Sequence, residues 1–291
     1  MNHTGANPQT KVVAIIPARF ASTRLPGKPL LEIAGKPMIC WVVERVLAAR
    51  SVAQVIVATD EAMVCDAVRA AGYEAVMTRN DHATGTDRLA EVARSLNDAE
   101  IVVNVQGDEP LISPETIDRA IAALRETDNC SIATTWEPIE SRADALSPDV
   151  VKVVVDETGR AVYFSRSPIP YPREAVRRHG SIHLALEKEP NLLSTFRKHT
   201  GLYVYRRDFL LEFAAWPQSP LERAEALEQL RAIEHGAVIK VIETSSPSIG
   251  VDTIEDLERV RAILKQGSRE PRVSSLSSAE SKTARLSRME T

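Results

Sequence analysis

The chain has 291 residues, 44% of them hydrophobic and 26% charged. That is enough apolar material for a sizeable core, built as one large domain or two small ones. A net charge of −4 argues against bulk nucleic-acid binding, which shows a basic balance, but not against a local cationic site for a small anion.

The three cysteines, Cys40, Cys65 and Cys130, are odd in number and widely spaced, with no C-x-x-C. This argues against a disulfide framework or a zinc site. Cys40 lies in the apolar run MICWVV and reads as core filler. No apolar stretch reaches the roughly 20 residues needed to span a bilayer. Residues 1–10 are polar and lack the apolar segment of a signal peptide, so the expected location is the cytoplasm.

Residues 11–16 (KVVAII) read as a buried strand. A loop rich in Pro, Gly, Ser and Arg follows over 17–28, and helical spacing of apolar residues over 37–49. Further strands are predicted at 55–60, 74–78, 101–106 and 130–135. Helices are predicted at 61–71, closed by Gly72, at 87–96, and from Ser113 with Pro114 in the first helical position. This alternation implies right-handed βαβ units and an α/β fold with a mostly parallel sheet.

Near residue 150 the rhythm changes. Residues 150–155 and 161–165 flank DETG, a hairpin turn. The charged stretch 173–198 reads as a surface loop. A strand at 199–205, one strong helix at 220–234, a strand at 238–243 and a last helix at 253–264 complete the ordered chain. Residues 1–10 and the Ser-, Arg- and Glu-rich 266–291 read as disordered tails.

The loop PARFASTRLPGKPL places Arg19, Arg24 and Lys28 within ten residues, directly after a strand. Loops at the carboxyl ends of parallel strands are where α/β proteins bind ligands. Ser22, Thr23 and Gly27 are small enough for backbone N–H groups to approach an anion. A solvated basic loop has the same composition, and neither G-x-x-x-x-G-K-[ST] nor G-x-G-x-x-G is present. Asp108 ends an apolar strand and suits Mg²⁺, which takes one or two carboxylates plus phosphate oxygens. Asp252, with Glu255 three residues on, fits a helix cap. Within NDHATGTDR at 80–88, Thr84 or Thr86 suits the cap of the next helix.

The loop at 17–30 closely resembles the nucleotide-binding signature of the 3-deoxy-manno-octulosonate cytidylyltransferases, the CMP-Kdo synthetases. Six later segments agree in order: VMTRNDHATGTDR at 76–88, NVQGDEP at 104–110, YFSRSP at 163–168, HTGLYVY at 199–205, SPLERAEALEQLR at 219–231 and GVDTIEDL at 250–257. The resemblance covers residues 11–265. It implies a Rossmann-like nucleotidyltransferase fold with a smaller β-rich lobe inserted at about 136–215. It also implies CTP and Kdo as substrates, Mg²⁺ as cofactor, a homodimer, and supply of lipopolysaccharide assembly.

Carried over residue by residue, the resemblance gives Arg19, Arg24 and Lys28 to the triphosphate, with Arg19, Lys28 and Asp108 catalytic. Thr84 (Ser in the usual pattern), Gly85, Thr86 and Gln106 face the nucleotide. Gln106, Arg166, His199, Tyr203, Glu228 and Gln229 face the sugar acid, with Arg166 suited to its carboxylate. Asp108 and Asp252 hold the metal, and Asp252 can serve as ligand, cap or both. His199 and Tyr203, four apart on a strand, share a face. Glu222 and Glu225 are set aside as a solvated helix face. No residue is forced to act as general base. The rivals are the same chemistry on 8-amino-Kdo or a sialic acid, a uridylyl- or guanylyltransferase, and a non-catalytic nucleotide-binding regulator.

Overall fold

The computed structural model describes residues 11–20 and 25–267. Ser22, Thr23, Arg24, the predicted tail over 1–10 and all but the first two residues of the tail predicted at 266–291 lie outside the described residues.

The first strand, β1 (Lys11–Ala18), is buried on both faces. Val12, Ala14, Ile16 and Ala18 enter one apolar cluster, while Val13 and Ile15 enter another. Successive side chains of a strand point to opposite faces, so this run needs cover on both sides, as in a parallel sheet. The cover comes from helices. Helices α1 (Met38–Leu47), α2 (Ala62–Ala70) and α4 (Pro114–Glu126) supply Ile39, Val64 and Ile117 to one cluster. Helices α3 (Gly85–Ser95) and α8 (Arg207–Ala215) supply Leu89 and Phe213 to the other. Each fully buried Ile, Leu or Phe contributes about 1.5–3 kcal/mol relative to exposure.

Two two-residue strands, β2 (Glu32–Ile33) and β3 (Lys36–Pro37), form a separate small ribbon. The central path adds β4 (Gln54–Thr59), β5 (Glu74–Met77), β6 (Ala99–Asn104), β7 (Cys130–Pro138), β10 (Arg197–Arg206) and β11 (Val238–Glu243), in the order β11-β7-β10-β6-β1-β4-β5. Along it β10 alone runs against the others. From β1 the chain builds outward through β4 and β5, then crosses back to β6 on the other side. The crevice beyond the carboxyl ends of β1 and β6 is therefore a switch point, where open α/β sheets bind ligands.

Strands β8 (Lys152–Val155) and β9 (Ala161–Ser165) form the predicted hairpin, which joins β10 where Lys152 pairs with Lys198. Its turn closes through Gly159 N–H to Asp156 O at 3.0 Å, with Gly159 at φ 77°. Only a residue tolerant of positive φ serves there.

Two expectations are corrected. The stretch 173–198 is largely helical: α6 (Arg173–His179), α7 (Ile182–Lys188) and a 3-10 segment Pro190–Thr195. Leu186 and Phe196 bury against Ile139 and Ala145, the latter in α5 (Arg142–Leu146), so few apolar residues suffice to hold it. The single helix at 220–234 is two, α9 (Pro220–Glu225) and α10 (Gln229–Glu234), broken where Ala226 turns left-handed at φ 52°. The last helix, α11 (Ile254–Gly267), runs past Leu264 into the predicted tail.

Candidate active site

Two groups of side chains meet at the switch point. The first is ionic. Lys28 Nζ lies 2.6 Å from Asp108 Oδ2 and 2.9 Å from Asp252 Oδ1. Local structure aims all three. Gly27, left-handed at φ 68°, turns the chain so that Lys28 opens a 3-10 turn over Lys28–Leu30. Asp108 follows β6 after Gly107, where an added Cβ would lie 2.9 Å from Pro17 O. Glycine is what lets β6 end so close to β1. Asp108 O accepts the Val251 N–H at 2.9 Å, which ties the Asp252 segment to the Asp108 turn.

Burial works to lower the Lys28 ammonium pKa, but the charge and hydrogen bonds of Asp108, then of Asp252, outweigh it and hold it above its ordinary value. Asp252 does not cap α11. Thr253 does: its Oγ1 accepts Asp256 N–H at 3.1 Å and its own N–H reaches Asp256 Oδ2 at 3.0 Å. The cap expected from Asp252 and Glu255 is thus displaced by one residue, and the Asp252 carboxylate turns to Lys28.

As a donor set, two carboxylates converging on one cation fit Mg²⁺, whose remaining positions go to phosphate oxygens and water. Among the described residues no cluster of three or more His, Cys, Asp or Glu side chains could hold a metal by itself.

The second group lines a cleft of about 250 Å³. Gly85, Thr86, Gln106, Tyr203, Glu228 and Gln229, all predicted, come together there from four elements or their ends. Thr84 is the cap of α3: its Oγ1 accepts Asp87 N–H at 3.1 Å, and Asp87 Oδ2 accepts Thr84 N–H at 3.1 Å. Gly85 and Thr86 then present the first turn of an eleven-residue helix, whose free N–H groups and dipole favour an anion. Gln106 Nε2 donates to Gly201 O at 3.3 Å. Burial pushes the Glu228 carboxyl up and the Tyr203 phenol well up. Among the described residues Glu228 Oε2 is buried without a hydrogen-bond partner, an acceptor suited to a donor from a ligand.

Besides Thr84 and the ionic group, three predicted residues stand outside this lining. Arg19 reaches across the mouth, its Nη2 donating to His82 O at 3.3 Å, which links the cationic loop to the loop before α3. His199 lies behind Tyr203, ring centroids 5.3 Å apart. Arg166 lies behind the α9–α10 break. Its Nε donates to Glu225 O at 2.7 Å, Nη1 to Pro148 O at 2.9 Å and Nη2 to Ala226 O at 3.4 Å.

Other residues complete the site without having been singled out in the sequence. Glu225, set aside above, accepts Ser165 Oγ–H at 2.6 Å and Arg166 N–H at 2.9 Å. Lys152, fully buried, donates to the carbonyls of Ser147, Val150 and Arg166 at 2.6–2.8 Å. Arg88, also fully buried, joins Asp60 Oδ2 at 2.8 Å and Thr78 Oγ1 at 2.5 Å. A charged residue inside an otherwise apolar period, as in DRLAEVA or VVKVV, is the one signal that marks Arg88 and Lys152.

Comparison with known proteins agrees with this geometry. The cytidylyltransferase family model matches residues 13–243. A curated 3-deoxy-manno-octulosonate cytidylyltransferase of Geobacter sulfurreducens is 55% identical over 254 residues, covering 87% of this chain and 99% of that protein. Its counterpart in Syntrophotalea carbinolica is 52% identical, covering 87% and 98%. A solved CMP:2-keto-3-deoxy-manno-octonic acid synthetase complexed with CTP superimposes with a TM-score of 0.78 at 46% identity, covering 89% of this chain and all of that one. The chain belongs to the cytidylyltransferase family and, within it, to the 3-deoxy-manno-octulosonate cytidylyltransferases.

Proposed function

We propose that this enzyme transfers CMP from CTP to Kdo with release of pyrophosphate. The observation that carries it is the junction of two sites at one switch point. A cation held between two carboxylates, Lys28 with Asp108 and Asp252, adjoins a polar cleft walled by Thr86, Gln106, Tyr203, Glu228 and Gln229.

In this reading the triphosphate meets Arg19, Arg24 and Lys28, and the base and ribose meet the segment Thr84–Gly85–Thr86 with Gln106. The sugar acid lies against Gln106, Tyr203, Glu228 and Gln229, with Arg166 and His199 behind them. The anomeric hydroxyl attacks the α-phosphorus in line and its proton passes to solvent. The new bond joins that oxygen to phosphorus, and the bond broken is the one to the β-phosphate. Lys28 and Arg19 offset charge on the departing pyrophosphate, the kind of electrostatic stabilisation that acts without reorganisation. The α3 N-terminus and the cleft wall hold the two reactants at attacking distance.

Asp108 and Asp252 would hold Mg²⁺, which when bound supplies Lewis-acid polarisation and a template for the phosphates. The donor set supports this assignment. The chain's place in the family supports Kdo as the acceptor, and from Kdo follows supply of lipopolysaccharide assembly. A homodimer belongs to the same reading and rests on the resemblance; a cytoplasmic location is carried forward from the reading of residues 1–10. Among the described residues no helix is long and apolar enough to cross a membrane. The test is pyrophosphate release with CTP, Mg²⁺ and Kdo; release with CTP and an 8-amino sugar acid but not with Kdo would move the substrate and keep the chemistry.

A further inference from the structure

Strand β10 is interrupted beside the cleft. Its register against β7 pairs Thr200 with Thr135 and Tyr203 with Thr134, so Gly201 and Leu202 bulge out of the ladder. Thr134 sits under that bulge and is buried. Its Oγ1 lies 2.7 Å from Leu202 O and 3.0 Å from His199 Nε2.

The hydrogen-bond inventory allows one assignment. A carbonyl oxygen only accepts, so the single hydroxyl proton of Thr134 goes to Leu202 O. The hydroxyl oxygen is then an acceptor towards the imidazole, and His199 Nε2 must carry a proton. Burial lowers the His199 pKa to about 3, against Phe164 at 5.0 Å and Tyr203 at 5.3 Å between ring centroids. The ring is therefore neutral at physiological pH. A neutral imidazole has one N–H, so Nδ1 holds a lone pair.

We propose that Thr134 is a positioning residue that holds His199 as the Nε2–H tautomer, so that the imidazole is fixed behind Tyr203 and, through Tyr203, sets the wall that meets the sugar acid. The proposal rests on the functional reading above and deepens it. Thr134 also fixes the bulge that sets the spacing between His199 and Tyr203.

The direct test is two-dimensional proton–nitrogen NMR of the histidine rings in the isotope-labelled full chain at neutral pH, with His199→Gln identifying the His199 signals. The expected result is the neutral Nε2–H pattern in the wild type and in Thr134→Ser. An Nδ1–H or protonated pattern in the wild type overturns the proposal. This readout needs no turnover, so it stands apart from the test of the reaction.

Kinetics supply the second arm. Losing the hydroxyl leaves buried polar groups unpartnered, so Thr134→Val should raise KM for Kdo roughly tenfold. KM for CTP should stay within about twofold, and Thr134→Ser should restore the wild-type value, because it keeps the donor and acceptor. A Thr134→Val enzyme with unchanged KM for Kdo, or one in which both KM values rise together, overturns the positioning role.

Discussion

Thr253 takes the helix cap that its neighbour Asp252 was expected to make. The two roles are thereby divided between adjacent residues: Thr253 exchanges hydrogen bonds with Asp256 at 3.0 and 3.1 Å, and Asp252 lies 2.9 Å from Lys28. Thr253→Ala should cost about 1 kcal/mol of stability and leave turnover intact. Asp252→Asn should do the reverse. Its ion pair is half exposed, so stability changes little, while pyrophosphate release should fall by about 100-fold or more. Thermal melts beside initial rates for both variants check the division.

Glu225 and Lys152 act on the two backbone polar groups of Arg166. The carboxylate accepts its N–H at 2.9 Å and the ammonium donates to its carbonyl at 2.6 Å. The Arg166 guanidinium returns the link by binding the carbonyls of Glu225 and Ala226, directly ahead of Glu228 and Gln229 in the cleft wall. Glu225→Ala should loosen that wall and raise KM for Kdo about tenfold, the effect of unpartnered buried groups. KM for CTP should move little. Initial rates with each substrate varied in turn will separate the two.

Only part of this architecture is legible in the sequence. The doubly buried β1 and the crossovers to β4 and β5 were legible, because an apolar run with turn residues at its end has few other solutions. The break at Ala226 was not. PLERAEALEQLR consists mostly of good helix formers, and a left-handed Ala is imposed by tertiary contacts, with Leu227 buried on one side and Glu225 clamped on the other. Once the helix breaks, spacings of three and four no longer define a face, so Glu225 could not be told from a solvated acid. The shift of cap from Asp252 to Thr253 was equally hidden, since Asp252–Glu255 and Thr253–Asp256 both satisfy the same pattern. The cleft residues were found through ordered motifs, not local chemistry, because they lie far apart in the chain.

Arg88 should be a stability residue for the loop that precedes α3. It is fully buried, and its two terminal nitrogens reach Asp60 and Thr78 from separate strand ends. Arg88→Met leaves both partners unsatisfied and should cost about 1–3 kcal/mol in urea unfolding. Arg88→Lys should not restore it, because an ammonium lacks the fork that spans both groups.

His199 carries a pH signature. Its folded pKa is depressed to about 3 by burial, below the unfolded value. The unfolded chain then binds more protons between the two values, so this residue's contribution is full above about pH 6.5 and is lost as pH falls towards 3. The slope from one proton is at most about 1.4 kcal/mol per pH unit. His199→Gln should flatten the fall in stability between about pH 6.5 and pH 4, measured by denaturant midpoints at each pH.

The most direct test of the central claim is pyrophosphate release by the wild-type chain with CTP, Mg²⁺ and Kdo, run beside UTP and beside a Kdo-free control. Release is expected only when CTP and Kdo are present together, and its loss is expected in Asp108→Ala and Asp252→Ala. Silence with Kdo and with every other sugar acid, while CTP still binds, would contradict it and make the chain a nucleotide-binding protein without this chemistry.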